Sequence, residues 1–216
     1  MSLNHIVRIK SRLRRNAFSL LEIMIVVSIL AILTALSLSA GFASLRRSKV
    51  DAVAMEMAGW LNGIHANNSN AAINNVNVTC VATFTGQAAY PGGNSFSAGQ
   101  EVFTLNNPDD CSPIVRSFRI PDNANGTFLI ASPARITFNL RGNALVGNAG
   151  AATANNISGL NTDLDIKILL QETTLLRCIR VNYLLGLTSV GANSNSATVD
   201  DDCATTAFGS FVHERF

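Results

Sequence analysis

Residues 23–43 (IMIVVSILAILTALSLSAGFA) run for 21 positions without a charge, and this run constrains the chain more than any other feature. At a rise of ~1.5 Å per residue, a helix of that length covers the roughly 30 Å hydrocarbon core of a bilayer. The 17 residues at the start hold Arg8, Lys10, Arg12, Arg14 and Arg15 and no acid. The positive-inside rule keeps such an arm cytoplasmic. Arg46, Arg47 and Lys49 follow the run but are fewer, so the remainder is expected on the far side of the membrane. Of 16 basic residues in the chain, the arm takes five, which leaves 11 against 14 acidic residues from Phe18 onward. Bulk charge therefore disfavours nonspecific binding of polyanions by the larger part. With 48% hydrophobic and 14% charged residues in 216, most of the chain must fold, as one domain or one domain with an attachment.

Three kinds of segment fit the run. One is a cleaved secretory signal ending near Ser37-Leu38-Ser39, the second an uncleaved anchor, the third a leader cut before the apolar stretch. Glu22 separates them. It sits four positions after Phe18, at the start of the run. A charged carboxylate there costs several kcal/mol and serves neither a signal peptide nor a plain anchor. It requires a partner of opposite charge.

Asn16-Ala17-Phe18-Ser19-Leu20-Leu21-Glu22, followed by the apolar run, resembles the class III leader of type IV pilins and type II secretion pseudopilins. The resemblance implies that a membrane aspartyl prepilin peptidase cuts between Ala17 and Phe18 and that the new Phe18 amine is N-methylated. It further implies that Glu22, fifth in the mature chain, pairs with the terminal amine of a neighbouring subunit during assembly. Two positions depart from the pattern. Ala17 stands where the family usually has Gly, and Ser39 stands where many major pilins carry Pro. Without that Pro the helix need not kink, which points to a minor subunit. The expected organisation is a leader at 1–17, a transmembrane and filament-core helix at 18–45, and a periplasmic domain at 46–216.

Val50, Val53, Ala54, Met57, Trp60, Leu61 and Ile64 recur with the spacing of one helical face, while Asp51, Glu56 and Asn62 fall largely outside it. Ordinary core packing accounts for such a stripe. Gly59 and Gly63 weaken the helix and permit close packing. The Asn67-Asn68-Ser69-Asn70 stretch is expected to end it near Ala66. Beyond Ile73 the pattern changes to short strands at 76–84, 114–120, 135–140, 164–170 and 177–183, with turn residues between them. Residues 142–159 read as a long surface loop. The expected fold class is α+β, a long N-terminal helix whose first half spans the membrane, packed against antiparallel β-sheets.

Residues 135–144 (RITFNLRGNA) resemble the I-x-F-x-x-x-G-x-A strand of the GspH/FimT group of minor pilins and pseudopilins, and 177–191 its late hairpin. Some FimT-type members bind DNA through a Gly-Arg-x-Arg motif there. Here Gly186-Leu187-Thr188-Ser189 has no Arg, and Asp200-Asp201-Asp202 adds repulsion. Nucleic acid is therefore not an expected partner. The expected partners are other pilins or pseudopilins, the prepilin peptidase and an inner-membrane assembly platform.

Cys80, Cys111, Cys178 and Cys203 allow three pairings in the oxidising compartment that the resemblance implies. Sequence neighbours give Cys80–Cys111 and Cys178–Cys203; the second would pin the acidic tail to a strand. No C-x₂-C, H-E-x-x-H, G-x-S-x-G or P-loop occurs, and His65 and His213 read as exposed polar residues. Neither a catalytic site, a metal nor a cofactor is expected. The sequence therefore points to a minor type IV pilin that primes or decorates a pilus. A type II secretion pseudopilin is the alternative, and a DNA-uptake pilin a more distant one.

Overall fold

The computed structural model describes residues 19–73, 79–87, 92–106, 111, 117–139, 144–147, 163–196, 198–201 and 203, with backbone alone at 36, 38–40, 71–73 and 145–147. The chain divides into two compact units, Met1–Ala43 and Ser44–Phe216. One helix, α1 (Leu20–Ile73), supplies the described part of the first unit and opens the second. Among the described residues, which omit four side chains inside the run 23–43, no helix is long and apolar enough to cross a membrane.

In the second unit the predicted stripe is the core face of α1. Val50, Val53, Ala54, Met57 and Leu61 have no exposure, and Ile64 has 1%. Burying side chains of this size stabilises by about 1.5–3 kcal/mol each. Trp60 lies 5.9 Å from Phe103 and from Phe118, tilted against both rings.

Ten strands follow the helix: β1 (Cys80–Phe84), β2 (Asn94–Ser97), β3 (Glu101–Asn106), β4 (Ser117–Arg119), β5 (Thr127–Ala131), β6 (Arg135–Phe138), β7 (Ala144–Gly147), β8 (Leu164–Leu170), β9 (Leu176–Val181) and β10 (Thr188–Asn193). They form two five-stranded sheets, ordered β4-β3-β1-β6-β7 and β10-β9-β8-β5-β2. Every pairing is antiparallel, with Cys80 opposite Phe138 in the first sheet and Ile166 opposite Ile179 in the second. Alternation sends Ile166, Ile168, Ile179 and Val181 into the core shared with the helix. The α+β expectation of a helix on antiparallel sheets is thereby met.

Strands β2, β3 and β5 are not among the five expected from the sequence, and three further details differ. The helix runs past Ala66 to Ile73, because the residues expected to end it find partners within the fold. Asn68 Nδ2 donates to the Asn139 carbonyl at 2.7 Å, Asn67 Nδ2 to the Cys111 carbonyl, and the Ser69 hydroxyl to His65 one turn back. Residues 144–147, expected inside a long loop, pair with β6 as β7. The Asp51 carboxylate does not simply face water. It accepts the Arg177 Nε–H at 2.6 Å, with side-chain exposures of 18% and 5%. This ion pair ties α1 to β9 across 126 residues of chain.

Both disulfides join sequence neighbours, Cys80 to Cys111 and Cys178 to Cys203, with Cα separations of 5.4 and 6.1 Å. The second lies on the face of the sheet turned away from the helix, where Leu169, Leu176, Cys178, Val199 and Cys203 form a small core of their own. Asp200 adds two ties, accepting the Gly92 N–H and holding Lys167 through its carbonyl. Gly93 is required here. Its φ is +75, and a Cβ would stand 2.9 Å from a Val199 methyl.

Asp51→Ala leaves a buried guanidinium without its carboxylate and is expected to lower stability by about 3–5 kcal/mol. Arg119→Ala breaks the exposed pair with Glu101 and is expected to cost less than about 1 kcal/mol. Urea unfolding of the full chain in detergent, followed by fluorescence of the single tryptophan, compares the two. Cys178→Ser with Cys203→Ser is expected to cost about 3 kcal/mol in the same measurement. Peptide mapping without reduction should recover the two neighbour pairs.

Candidate functional site

The described part of the first unit presents one ionisable side chain. The Ser19 carbonyl accepts from the Glu22 N–H at 3.0 Å and from the Ile23 N–H at 3.2 Å, so α1 starts directly after it. Glu22 lies in the first turn. Ser-x-x-Glu is the capping-box pattern, a signal for the helix start that is legible in the sequence alone. An acid at this place meets the positive end of the helix dipole, worth about 0.3–1 kcal/mol. A carboxylate held charged at the centre of a membrane span costs on the order of 2.5–3.5 kcal/mol. Glu22 stands at the start of the run rather than at its centre, so its cost falls below that figure and the dipole offsets part of it.

The described hydroxyls in the rest of the run bond within the helix. Ser28 donates to the Met24 carbonyl, Thr34 to Leu30 and Ala31, and Ser37 to Leu33, all at 3.0 Å or less. These hydroxyls are satisfied within the helix, as an apolar surrounding requires. Ile23, Met24, Ile25, Val26, Val27 and Ile29 stand exposed right round the helix. A helix apolar on all sides is stable only where other apolar matter encloses it.

Among the described residues of the second unit, three of the five exposed large apolar side chains lie on the β9–β10 turn: Leu184, Leu185 and Leu187, exposed by 65, 60 and 53%. The turn is firmly built. Asn182 Oδ1 accepts the Leu184 and Leu185 N–H groups, the Gly186 N–H donates to the Asn182 carbonyl, and the Asn182 N–H to Leu187. Asp163 accepts from the Asn182 amide and the Tyr183 N–H, fixing the base. Gly186 at φ +63 makes the tight return possible. The hairpin then reaches α1, where the Thr188 N–H donates to Asn62 Oδ1 and its hydroxyl to the Ala58 carbonyl. Gly59 and Gly63 are exposed on the helix close by, and a Cβ at either would meet nothing within 4 Å. No sequence pattern singles out the leucines, since apolar residues in a hairpin ordinarily point inward.

Of the residues proposed from sequence, Ala17 and Phe18 lie outside the described residues, as does His213; Glu22 is placed as above. His65 is not an exposed polar residue. It is half-buried with its ring 6.1 Å from Phe138. Arg177 and Arg180 point to opposite faces of β9: Arg177 to Asp51, and Arg180 to both oxygens of Asp165 at 2.8 and 2.7 Å. Both guanidiniums thus meet carboxylates. Among the described residues no group of three or more His, Cys, Asp or Glu is placed to hold a metal ion.

Comparison with family models matches residues 12–38 to the prokaryotic N-terminal methylation motif, the signature of type IV pilins and pseudopilins. The match covers the end of the basic arm, the Ala17-Phe18 junction, Glu22 and most of the apolar run. Neither the comparison with curated proteins nor that with solved structures returns a match.

Because Gly59 and Gly63 face open space within the chain, Gly59→Ala and Gly63→Ala are each expected to stabilise the isolated protein by about 0.5–1 kcal/mol. Urea unfolding in detergent measures this. A destabilisation would show that the helix face is already packed against part of the same chain.

Proposed function

We propose that the chain is a minor type IV pilin of the GspH/FimT type, a non-enzymatic structural subunit that primes or decorates a pilus. The observation that carries this reading is Glu22, the one ionisable residue between Ser19 and Leu45, set in the first turn of a helix that is otherwise apolar on all sides. In this reading residues 23–43 hold the precursor in the inner membrane as a single pass, with the basic arm cytoplasmic and the sheet domain periplasmic. The prepilin peptidase trims the arm after Ala17, the Phe18 amine is methylated, and an assembly platform extracts the subunit into the filament. Glu22 and a neighbour's Phe18 amine then neutralise each other in an apolar core and fix axial register. The two disulfides suit a domain that folds in an oxidising compartment.

The leucine turn and the bare face of α1 at Gly59 and Gly63 supply apolar surface for contact with neighbouring pilins. A type II secretion pseudopilin shares every one of these features and is the second reading. Against DNA uptake stand the carboxylate partners of Arg177 and Arg180 and the absence of Arg from 186–189.

Glu22→Ala is expected to leave membrane insertion intact and to abolish incorporation into filaments, read by fractionation of sheared surface material against membranes. Normal incorporation would defeat the charge-pairing role. Mass spectrometry of the mature chain should find Phe18 as a methylated N-terminus. Deletion of the gene should make surface pili rare, with recovery on complementation. Unchanged pili together with impaired protein export would favour the pseudopilin.

A further inference from the structure

Arg46, Arg47 and Lys49 begin three residues beyond Ala43, on the side of the membrane where the proposed topology disfavours basic residues. Lys49 has a visible use, since its Nζ donates to the Asn125 carbonyl at 3.0 Å. With Arg46 it also lines a groove of about 300 Å³. The remaining lining comes from residues 125–127, leading into β5, and from the β8–β9 turn with Leu170 before it. That volume suffices for a small polar group.

The groove is stiffly held. The Gln171 N–H donates to the Thr127 carbonyl at 2.9 Å, and both the N–H and hydroxyl of Thr173 donate to Leu170. Gly126, at φ +140, lets Leu170 approach so closely that a Cβ would lie 2.9 Å from its methyl. Between these fixed residues sits Glu172, exposed, with φ +64. Among the described residues it is the one non-glycine with positive φ. Gly or Asn occupies such a position at lower cost, and an exposed Glu adds nothing to the core. The groove therefore combines two positive charges, Lys49 tied to Asn125 and Arg46 exposed, with one negative charge on a strained turn.

That charge set complements a zwitterion. We propose that this groove binds a phosphoethanolamine group, with the phosphate meeting Arg46 and Lys49 and the primary ammonium meeting Glu172. A simple anion would be repelled by Glu172, and a simple cation by the other two. The position of Arg46 just past the uncharged run makes a lipid headgroup the natural source, an assignment that rests on the membrane reading above; the soluble headgroup has the same chemistry.

The test uses the full chain in non-ionic micelles, titrated with short-chain phosphatidylethanolamine, phosphatidylcholine, glycerophosphoethanolamine and inorganic phosphate, with binding read by native mass spectrometry. Phosphatidylethanolamine is expected to bind about tenfold tighter than phosphatidylcholine, whose quaternary ammonium has no N–H to donate. Arg46→Gln should weaken both lipids about tenfold, as expected for loss of a charge-assisted contact. Glu172→Gln should erase the preference between the two lipids while leaving phosphatidylcholine binding as it was. Arg47→Gln, a neighbouring cation outside the lining, should change neither. Equal binding of the two lipids by the unmodified chain, variants indistinguishable from Arg47→Gln, or inorganic phosphate binding as tightly as phosphatidylethanolamine would each overturn the proposal. Glycerophosphoethanolamine binding as tightly as the lipid would uphold the groove chemistry and identify the soluble source. Alkaline extraction of cell membranes tests the membrane reading separately. A chain that stays in the membrane pellet yet shows no headgroup preference defeats the groove alone.

Discussion

A single helix has to satisfy two different surroundings, and the rest of the structure follows from that constraint. From Ile23 to Ala43 the helix carries no charge, and the hydroxyls of Ser28, Thr34 and Ser37 bond back to its own carbonyls. From Val50 onward only one stripe is apolar, and water must be kept from that stripe alone. Two sheets do this, and the stripe shares one core with inward residues of β1, β3 and β6 and of β5, β8 and β9. Aromatic packing at Trp60 serves the first sheet, and the Asp51–Arg177 pair serves the second. The pair is directional where the apolar stripe is not. A helix slid by about one turn would keep the same stripe toward the sheets, but it would separate the carboxylate from the guanidinium. At a cost of about 3–5 kcal/mol for an orphaned charge, the pair selects one register.

Much of this architecture was legible because it is periodic. Every position of the stripe from Val50 to Ile64 reads correctly, and β8 occupies the residues where its alternation places it. The helix end was not legible. Asn67, Asn68 and Ser69 are turn formers by local preference, and their preference is overridden by carbonyls at Cys111, Asn139 and His65. Strands β2 and β10 (NSFS and TSVGAN) are short, small-sided edge strands with weak patterning. Strands β3 and β5 do carry a signal, EVFTLN and TFLIA between turn residues, yet neither is among the five strands expected from the sequence. The neighbour pairing of cysteines was one of three choices by count, and the fold brings both pairs within reach.

The candidate site divides in the same way. Glu22 is legible because a lone charge against 21 uncharged positions is a strong contrast. The partners of Arg177 and Arg180 are not, since an arginine in a strand gives no sign of the carboxylate that will meet it. Asp51 is 126 residues away. The exposed leucines escape for a subtler reason. Their outward direction is set by the Asn182 and Asp163 hydrogen bonds that shape the turn, and composition does not report shape.

Charge is arranged along the chain in an order that has physical sense. In the proposed reading the five cations of the arm outweigh the three at 46–49, orientation in the membrane is decided before the domain is made, and the arm is then lost. Removal of the arm after Ala17 takes those five away and creates one new positive charge, the Phe18 amine, four residues from Glu22. Leader cleavage in this reading therefore changes two properties at once: it releases the topological hold and supplies the counter-charge that lets Glu22 leave a polar surrounding. Before cleavage an assembled Glu22 would be an unpaired buried charge, and after it the charge can be paired. A carboxylate of this kind excludes the unprocessed chain from the filament as well as aligning the processed one. The same logic separates Glu22 from the acids of the domain: Asp51 and Asp165 already have arginine partners within their own fold. In the proposed reading Glu22 finds its partner on another molecule, which makes it a residue through which a monomer senses that it has neighbours.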